Sequence, residues 1–178
     1  MKLVILDRDG VINDDHNNFI KSPDEWMPID GSSEAIALLN EHGFTVAVAT
    51  NQSGIARGLY DIATLDAIHD KMHKTIESAG GKIEAVYYCP HISEDNCGCR
   101  KPKSKMATDI GRQFNVDLKN VAGIGDSLRD LQSFSNAGCQ PMLVLTGNGE
   151  KTLSGGDLPE NTLIFNDLAE AVQHIVSE

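Results

Sequence analysis

Short, continuous apolar runs alternate with amphipathic segments along this chain, and this alternation constrains the fold more than any other feature. The apolar runs are KLVIL, FTVAVAT, AVYYC, VAGIG and PMLVLT, at residues 2–6, 44–50, 85–89, 121–125 and 141–146. Such runs are typical of strands buried on both faces. Between them, apolar residues recur every three or four positions in 61–79 and again after Met106 and after Leu168, which is typical of helices. We therefore predict an α/β fold with a Rossmann-like parallel sheet and helices on both faces.

The length of 178 residues is enough for one domain with a sizeable core, and we predict a single domain over residues 1–178. The sequence contains no repeat, low-complexity tract or linker. The segment 147–161 is rich in Gly, Ser, Asn and Asp, which predicts a surface loop.

The charge balance excludes several classes of partner. With 26 acidic and 15 basic residues, the formal net charge is −11, which argues against a nucleic-acid surface or an anionic membrane surface. The longest apolar runs have about half a dozen residues, whereas a membrane span needs roughly 20. No signal-peptide pattern follows Met1 and Lys2. We expect a cytoplasmic protein that acts as a monomer on a small molecule.

Polar groups follow several of the apolar runs where each strand is expected to end. These groups are DRDG at 7–10, TNQSG at 50–54 and GDS at 125–127, while RKP at 100–102 lies just before a predicted helix. Ligands bind beyond the carboxyl ends of the strands in such sheets. We therefore expect these segments to converge on one edge of the sheet.

The acids at these strand ends suggest a metal and a phosphorus chemistry. Asp7 and Asp9 are two positions apart, and Asp126 adds a third carboxylate. Clustered carboxylates repel one another without a cation, and oxygen donors suit Mg²⁺. A carboxylate can also attack phosphorus to form an aspartyl phosphate, with Lys101 neutralising the transferring group. Each motif alone has a plainer explanation as a turn, a helix cap or a surface lysine, so the prediction depends on their joint order.

The stretches LDRDGVIN, ATNQSGIARG, CRKP and GIGDSLRD, in this order, resemble the four motifs of the haloacid-dehalogenase-like phosphatases. The resemblance runs from Leu3 to about Val144. It implies that the fold has no large cap domain, that Asp7 is the nucleophile and that Asp9 is the general acid and base. It also implies further roles, as follows: Thr50 and Lys101 bind the phosphoryl group; Asp7, the backbone carbonyl of Asp9, and Asp126 hold Mg²⁺; Asp130 supports the site without binding the metal.

A cysteine-rich stretch, CPHISEDNCGCRKP, begins at residue 89 and contains the pattern C-x-H-x5-C-x-C. Its candidate ligands are Cys89, His91, Cys97 and Cys99. Three thiolates and an imidazole suit tetrahedral Zn²⁺, and four protein ligands leave no open coordination position. We predict a structural zinc loop over 89–99 rather than a chance cluster of thiols, and we expect it to hold Arg100 and Lys101 over the phosphate site.

The zinc loop resembles a branch of the family that contains heptose bisphosphate phosphatases and histidinol-phosphate phosphatases. The text NQSGIARG matches the heptose enzymes better, and neutral or positive side chains there suit a second substrate phosphate. The resemblance implies removal of the C7 phosphate of a heptose bisphosphate, on the route to the nucleotide-activated heptose of the lipopolysaccharide core. The substrate contacts that it implies are Asp15, His16, Asn17, Asn18, Asn51, Gln52, Ser53, Arg57 and Arg100.

Other functions remain open from the residues alone. The same chemistry could serve histidinol phosphate or another small phosphomonoester. A receiver module that accepts phosphate on an aspartate shares acids, a threonine and a lysine around Mg²⁺, but it lacks an acid two residues after the phosphoacceptor. A zinc-ribbon binding module fits the charge balance poorly.

Several conspicuous residues are expected to have structural roles. His69 and His73 are four positions apart on a predicted helix, and we expect them to face solvent. Cys139 is far from the zinc cluster in sequence and is expected to be a buried apolar residue. Trp26 is expected to pack in the core.

Overall fold

A parallel six-stranded sheet forms the centre of the protein in the computed structural model, which describes residues 1–15 and 19–178. The strand order in this part of the chain is β3-β2-β1-β4-β5-β6. The strands are β1 (Lys2–Leu6), β2 (Phe44–Asn51), β3 (Ala85–Cys89), β4 (Ala122–Gly125), β5 (Gln140–Val144) and β6 (Leu163–Phe165). The predicted α/β class with a parallel sheet is confirmed.

Helices cover both faces of this sheet. They are α1 (Ser32–Glu41), α2 (Ile62–Ser78), α3 (Lys105–Phe114), α4 (Leu128–Ala137), α5 (Gly149–Gly155) and α6 (Leu168–Ser177). Helices α1, α2 and α6 contribute to the apolar core on one face, and α3 and α4 contribute to the core on the other. None of the helices within the described ranges combines the length and apolar character needed to cross a lipid bilayer.

Strand β1 shows why the apolar runs lack polar residues. Its side chains alternate between the two cores: Val4 and Leu6 pack on the side of α1, α2 and α6, whereas Leu3 and Ile5 pack on the side of α3 and α4. Successive side chains of a strand point to opposite faces, so a strand covered on both faces needs apolar residues throughout.

The position of β1 in the sheet creates the crevice in which a ligand can bind. Strand β1 pairs with β2 on one side and with β4 on the other. The chain therefore moves outward from β1 in one direction through β2 and β3, and in the opposite direction through β4, β5 and β6. Asp7, the first residue after β1, donates its backbone N–H to the Ile124 carbonyl at 2.9 Å. Ligands bind at this kind of topological switch point in open α/β sheets.

The prediction of a loop over 147–161 is wrong for part of the segment, because helix α5 occupies Gly149–Gly155. Contacts with the strand ends explain the helix. The Asn148 backbone N–H donates to Asp126 Oδ2 at 2.8 Å, and Thr152 Oγ1 donates to the Asp126 carbonyl at 2.7 Å. Tertiary contacts therefore stabilise a short helix that the local composition disfavours.

The core predictions for two other residues are confirmed. The Trp26 side chain is fully buried in the core on the side of α1, α2 and α6. Cys139 is buried in the opposite core, where it packs as a small apolar residue.

Candidate active site

A cleft of about 500 Å³ lies at the carboxyl ends of β1, β2 and β4. Each of the polar segments that follow these strands contributes to it, and so does the RKP segment before α3. Asp7, Asn51, Lys101 and Asp126 all line its walls. The parallel sheet therefore brings together side chains that are more than a hundred positions apart in sequence.

Lys101 lies at the bottom of this cleft between two carboxylates. Its side chain is 2 % exposed, and its Nζ is 2.9 Å from Asp7 Oδ1 and 2.7 Å from Asp130 Oδ1. The ammonium also donates to the Ala49 carbonyl at 2.8 Å. Burial alone would lower the pKa of Lys101, but Asp130 and Asp7 more than offset it and raise this pKa above its usual range. Lys101 is therefore a fixed positive charge.

The pKa values of Asp7 and Asp126 are shifted in favour of the neutral carboxyl groups, because the cleft holds more negative than positive charge. Burial, followed by repulsion from Asp130, raises the pKa of Asp7 to about 7, although Lys101 opposes the shift. Burial, followed by repulsion from Asp130 and Asp7, raises the pKa of Asp126 to about 9. A cation beside these carboxylates would relieve the repulsion.

The donor set fits a hard divalent cation. One carboxylate oxygen from each of Asp7, Asp126 and Asp130 lies within 4.8 Å of the other two. Both oxygens of Asp130 already have partners, since Oδ1 pairs with Lys101 and Oδ2 accepts the backbone N–H groups of Asp126 and Ser127 at 3.2 and 3.1 Å. Asp7 and Asp126 are the better candidates for direct ligands, and oxygen donors of this kind suit Mg²⁺.

Two glycines let the backbone pack directly against Asp126. A Cβ atom at Gly10 would lie 2.1 Å from Asp126 Oδ2, and one at Gly147 would lie 2.3 Å from the same oxygen. Both residues also have positive φ angles, of +82° and +55°. Any other residue would clash with the carboxylate and strain the backbone, so Asp126 can be held in this place only beside glycine.

Asp9 is held by donors on both of its carboxylate oxygens. Oδ1 accepts from Arg8 Nε at 3.2 Å, from Arg8 Nη2 at 2.8 Å and from Asn13 Nδ2 at 3.0 Å. Oδ2 accepts from Gln52 Nε2 at 2.9 Å. Burial would raise the pKa of Asp9, but the Arg8 charge and these hydrogen bonds together lower it below its ordinary value. Asp9 is ionised and fixed in orientation.

The prediction that His69 faces solvent is wrong. His69 is 7 % exposed, and its Nε2 lies 3.1 Å from Nη1 of the fully buried Arg8. The sequence offers a signal that could have shown this, since His69 is on the same helical stripe as the buried Leu65 and Met72. The partner of His69 is Arg8, in the segment after β1, and the helical stripe alone could not identify it.

Tyr60 is a further functional candidate that sequence reasoning missed. Its hydroxyl donates to Gln52 Oε1 at 2.6 Å, and the amide nitrogen of Gln52 donates to both Asp9 and Thr50. Burial raises the pKa of Tyr60 to about 12, so its hydroxyl keeps its proton. Tyr60 therefore fixes the orientation of the Gln52 amide and, through it, one side of Asp9.

Thr50 and Asn51 occupy different surroundings although they are neighbours at the end of β2. Thr50 is fully buried, its Oγ1 accepts from Gln52 Nε2 at 2.9 Å, and it is not among the residues that line the cleft. The predicted contact of Thr50 with a phosphoryl group stays a prediction. The Asn51 side chain lines the cleft and forms two hydrogen bonds, of 3.2 and 3.0 Å, with the backbone of Lys101. Asn51 thus ties β2 to the segment that carries Lys101.

The predicted substrate contacts are only partly brought together. Asp15, Gln52, Ser53 and Arg100 line the cleft. Arg57 does not: it is exposed, its Nε is 3.4 Å from Ser53 Oγ, and its guanidinium carbon is 5.7 Å from the centre of the Phe19 ring. The predictions for His16, Asn17 and Asn18 lie outside the described residues.

The rim of the cleft carries more positive charge than the sequence motifs suggested. Arg129 and Lys151 line it together with Arg100, although neither was predicted. Burial is the main cause that lowers the pKa of Arg100, and the positive charges of Arg129 and Arg57 add to this shift. A rim of this charge suits an anionic substrate.

The cysteine-rich loop brings its predicted ligands into a compact cluster. The Sγ atom of Cys89 is 3.6 Å from both Cys97 Sγ and His91 Nδ1, and Cys99 Sγ is 3.5 Å from His91 Nδ1. A zinc tetrahedron with bonds of about 2.0–2.3 Å has ligand-to-ligand distances of roughly 3.5–3.8 Å. The pair Cys99–Cys89, at 2.7 Å, is closer than this. Apart from this pair, the distances and the donor types fit a zinc ion bound by protein ligands alone.

This loop also positions Arg100. The Arg100 backbone N–H donates to Cys97 Sγ at 3.4 Å, and Arg100 Nη1 donates to the His91 carbonyl at 3.2 Å. The next residue is Lys101. The loop and the cleft are therefore connected through two consecutive cations.

Comparison with known proteins agrees with this geometry. A family model described as haloacid dehalogenase-like hydrolase matches residues 2–138. The chain belongs to this family. Within the haloacid dehalogenase-like hydrolases, it is 55% identical over 178 residues to a D-glycero-beta-D-manno-heptose-1,7-bisphosphate 7-phosphatase from Bordetella bronchiseptica. The match covers 100% of this chain and 99% of that relative.

Two solved structures are also similar to the chain. A crystal structure of D,D-heptose 1,7-bisphosphate phosphatase from B. bronchiseptica, complexed with magnesium and phosphate, has a TM-score of 0.98 at 55% identity, with 99% of each chain covered. The D,D-heptose 1,7-bisphosphate phosphatase from Burkholderia thailandensis has a TM-score of 0.81 at 46% identity, with both chains fully covered. The similarity thus includes the cysteine-rich loop and the carboxy-terminal segment as well as the family motifs.

Proposed function

We propose that this chain is a Mg²⁺-dependent phosphatase that removes the C7 phosphate of D-glycero-D-manno-heptose 1,7-bisphosphate and releases the heptose 1-phosphate. The observation that carries the proposal is the buried Asp7 carboxylate, which lies 2.9 Å from Lys101 Nζ in a cleft with a cationic rim. The choice of substrate is supported by the full-length relative at 55% identity.

Two metals belong to this proposal. Asp7, the backbone carbonyl of Asp9, and Asp126 would hold Mg²⁺, which supplies charge neutralisation for the transferring phosphoryl group. Cys89, His91, Cys97 and Cys99 would hold a structural Zn²⁺. The magnesium in the B. bronchiseptica crystal structure supports the first assignment, and the spacing of the sulfur and nitrogen atoms supports the second.

In the first step, an Asp7 oxygen attacks phosphorus and the bond between phosphorus and the C7 oxygen breaks. Asp9 gives its proton to this leaving oxygen, and an aspartyl phosphate forms on Asp7. Asp9 is ionised before substrate binds, but the negative phosphoryl group favours the protonated form of a carboxyl beside it. Lys101 balances the charge of the transferring group throughout.

In the second step, Asp9 takes a proton from a water molecule, which attacks the phosphorus of the aspartyl phosphate. The bond between phosphorus and Asp7 breaks, which restores the Asp7 carboxylate and releases inorganic phosphate. Asp9 thus has opposite proton-transfer roles in the two steps, so its carboxylate must stay in one place relative to phosphorus during both.

The rim supplies the specificity for a substrate with two phosphates. Arg100, Arg129 and Lys151 are placed to attract the second phosphate, and Arg57 adds positive charge beside them. Asp15, Asn51, Gln52 and Ser53 offer hydrogen-bonding groups for sugar hydroxyls. We extend the same assignment to His16, Asn17 and Asn18 from the family resemblance.

Substrate identity is tested by measuring phosphate release from synthetic α- and β-heptose 1,7-bisphosphate, with histidinol phosphate as the control. We expect kcat/KM for at least one heptose anomer to exceed kcat/KM for histidinol phosphate by about a hundredfold. The clustered cations of the rim would bind the second phosphate, which histidinol phosphate lacks. Equal or better turnover of histidinol phosphate would overturn the substrate assignment. Multiple turnovers would also exclude a receiver module.

The nucleophile is tested with Asp7→Asn. An amide cannot form the aspartyl phosphate, so we expect less than about a tenth of the wild-type rate to remain. Asp66→Asn, on the exposed side of α2, is the matched control and should keep full activity. A phosphate-release assay that finds near-normal turnover in the Asp7 variant would show that another group attacks phosphorus.

The predicted class of binding partner is consistent with this function. The net charge of −11 supports a small-molecule partner over nucleic acid or a membrane surface. Four further statements stay predictions: a single domain over residues 1–178, a monomeric state, a cytoplasmic location and a role in making the heptose of the lipopolysaccharide core.

A further inference from the structure

A buried pair formed by Arg8 and His69 contacts Asp9: Arg8 donates to Asp9 Oδ1, whereas Gln52 donates to Oδ2. We propose that His69 is a positioning residue, which acts through Arg8 to select the Asp9 oxygen that transfers protons. The inference rests on the proposed function, because it assigns a task to Asp9 as general acid and base. His69 belongs to α2, which contributes none of the motif residues.

The Arg8 guanidinium has a partner for each of its three nitrogen atoms. Arg8 is fully buried, and a buried cation is costly unless its donors are paired. Its Nε and Nη2 both donate to Asp9 Oδ1, and its Nη1 lies 3.1 Å from His69 Nε2. His69 therefore accepts from the guanidinium on the side that Asp9 does not reach.

The contact with Arg8 determines the tautomer and the charge of the His69 imidazole. Arginine can only donate hydrogen bonds, so Nε2 of His69 must be the acceptor and the ring proton must be on Nδ1. A charged imidazole would have no acceptor to offer. Burial, followed by the Arg8 charge, lowers the pKa of His69 to about 3, which keeps the ring neutral near pH 7.

The two carboxylate oxygens of Asp9 differ in the number of hydrogen bonds that they accept. Among residues 1–15 and 19–178, Oδ1 accepts from three donor groups of Arg8 and Asn13, whereas Oδ2 accepts from Gln52 alone. The oxygen with fewer donors has a lone pair left for a proton. By fixing Arg8, His69 keeps Oδ1 occupied and leaves Oδ2 as the oxygen that exchanges protons with the leaving group and with water.

The test compares leaving groups, because a role in stability alone would affect all substrates equally. An alkyl phosphate needs a proton from Asp9 to depart, whereas 4-nitrophenyl phosphate releases a stable anion that needs none. The constant kcat/KM reports the steps up to phosphoryl transfer to Asp7, so it isolates the step in which Asp9 is the acid. Both substrates are measured with wild type, His69→Leu, His69→Gln and the control His73→Leu.

We expect His69→Leu to lower kcat/KM for the alkyl phosphate at least about tenfold and for 4-nitrophenyl phosphate less than about threefold, since general acid catalysis contributes roughly 10²–10⁴-fold. His69→Gln places an amide oxygen near the Nε2 position, so it should restore most of the loss. His73→Leu, one turn along α2, should change neither value. An equal loss on both substrates, no loss on either, or a failure of glutamine to restore activity would overturn the proposal.

A measurement on the wild-type protein covers the case in which His69→Leu does not fold. Nitrogen-15 NMR of the imidazole at pH 7 distinguishes the two ring tautomers, and we expect the proton on Nδ1. A proton on Nε2 would overturn the proposal. The kinetic comparison needs only an alkyl phosphate that the enzyme hydrolyses, so rejection of heptose bisphosphate would defeat the substrate assignment while leaving the role of His69 measurable.

Discussion

Lys101 and its two carboxylate partners show how single residues divide the work in the cleft. Asp7 and Asp130 both line the cleft, but the oxygens of Asp130 are already used by Lys101 and by the first backbone N–H groups of the α4 cap. Asp130 also belongs to a capping box with Ser127. One acid therefore holds the lysine in position for another acid.

Replacing Lys101 with methionine tests this arrangement. The variant would leave Asp7 and Asp130 buried without their counter-ion, and we expect a loss of about 3 kcal/mol in the free energy of unfolding, measured in urea without metal. Lys105→Met, which removes an exposed lysine on α3, should cost less than about 0.5 kcal/mol. An equally stable Lys101 variant would contradict the ion pairing described for the cleft.

The sequence predicted those site residues that directly follow a strand or precede a helix. Asp7, Lys101 and Asp126 are of this kind, because the topology of a parallel sheet brings such positions together. Arg8, Tyr60 and His69 were missed for a physical reason. Their contacts join the segments that follow β1 and β2 to residues on or just before α2, and a pattern within one element does not specify its partner in another.

At the scale of elements, the cysteine-rich loop over 89–99 joins β3 to the segment that carries Arg100 and Lys101. It has little apolar content, and its contacts with Arg100 are made by a cysteine sulfur and a backbone carbonyl. Without a metal, the clustered thiols would have little to hold them together. The position of Arg100 should therefore depend on the occupancy of the loop.

Cys97→Ser tests this dependence. We expect the zinc content, measured by atomic emission, to fall below about half an ion per chain, and kcat/KM for the bisphosphate substrate to fall roughly tenfold as Arg100 moves. Cys139→Ala removes the cysteine that lies outside the cluster and should retain full zinc content. A zinc-free Cys97 variant with normal kinetics would show that the loop does not depend on metal.

The sequence marked the strands more clearly than the helices. Strands β1 to β5 coincide with continuous apolar runs, whereas no helix was predicted at α1 or α4. Helix α5 and the three-residue edge strand β6 were not predicted. Both form at the margin of the sheet, where contacts with Asp126 and pairing with β5 decide the structure and local composition does not.

For the whole molecule, the buried histidine links stability to pH. The ordinary pKa of His69 is 6.5, and in the folded protein it is lowered to about 3. Above pH 6.5 the group is neutral in both the folded and unfolded states. As pH falls from 6.5 toward 3, His69 binds a proton in the unfolded chain but not in the folded chain. The free energy of unfolding therefore decreases over this pH range.

We therefore expect His69 to reduce the free energy of unfolding by about 2 kcal/mol between pH 7 and pH 5. Urea unfolding at the two pH values measures the change in wild type, and His69→Gln removes the titrating group while keeping an acceptor for Arg8. The drop should be smaller in the glutamine variant by about this amount. Parallel pH dependence in the two proteins would mean that His69 is not buried in the neutral form.

The close packing of Gly10 and Gly147 on Asp126 has a consequence for engineering. Neither glycine can be replaced without a clash with Asp126, so a mutant library that varies these two positions would consist mostly of inactive variants. Arg57 and Lys151 project from the outer rim, where a change leaves the strand ends undisturbed. Directed evolution toward other phosphorylated sugars is therefore best confined to such outer positions, and the reaction chemistry should be inherited unchanged.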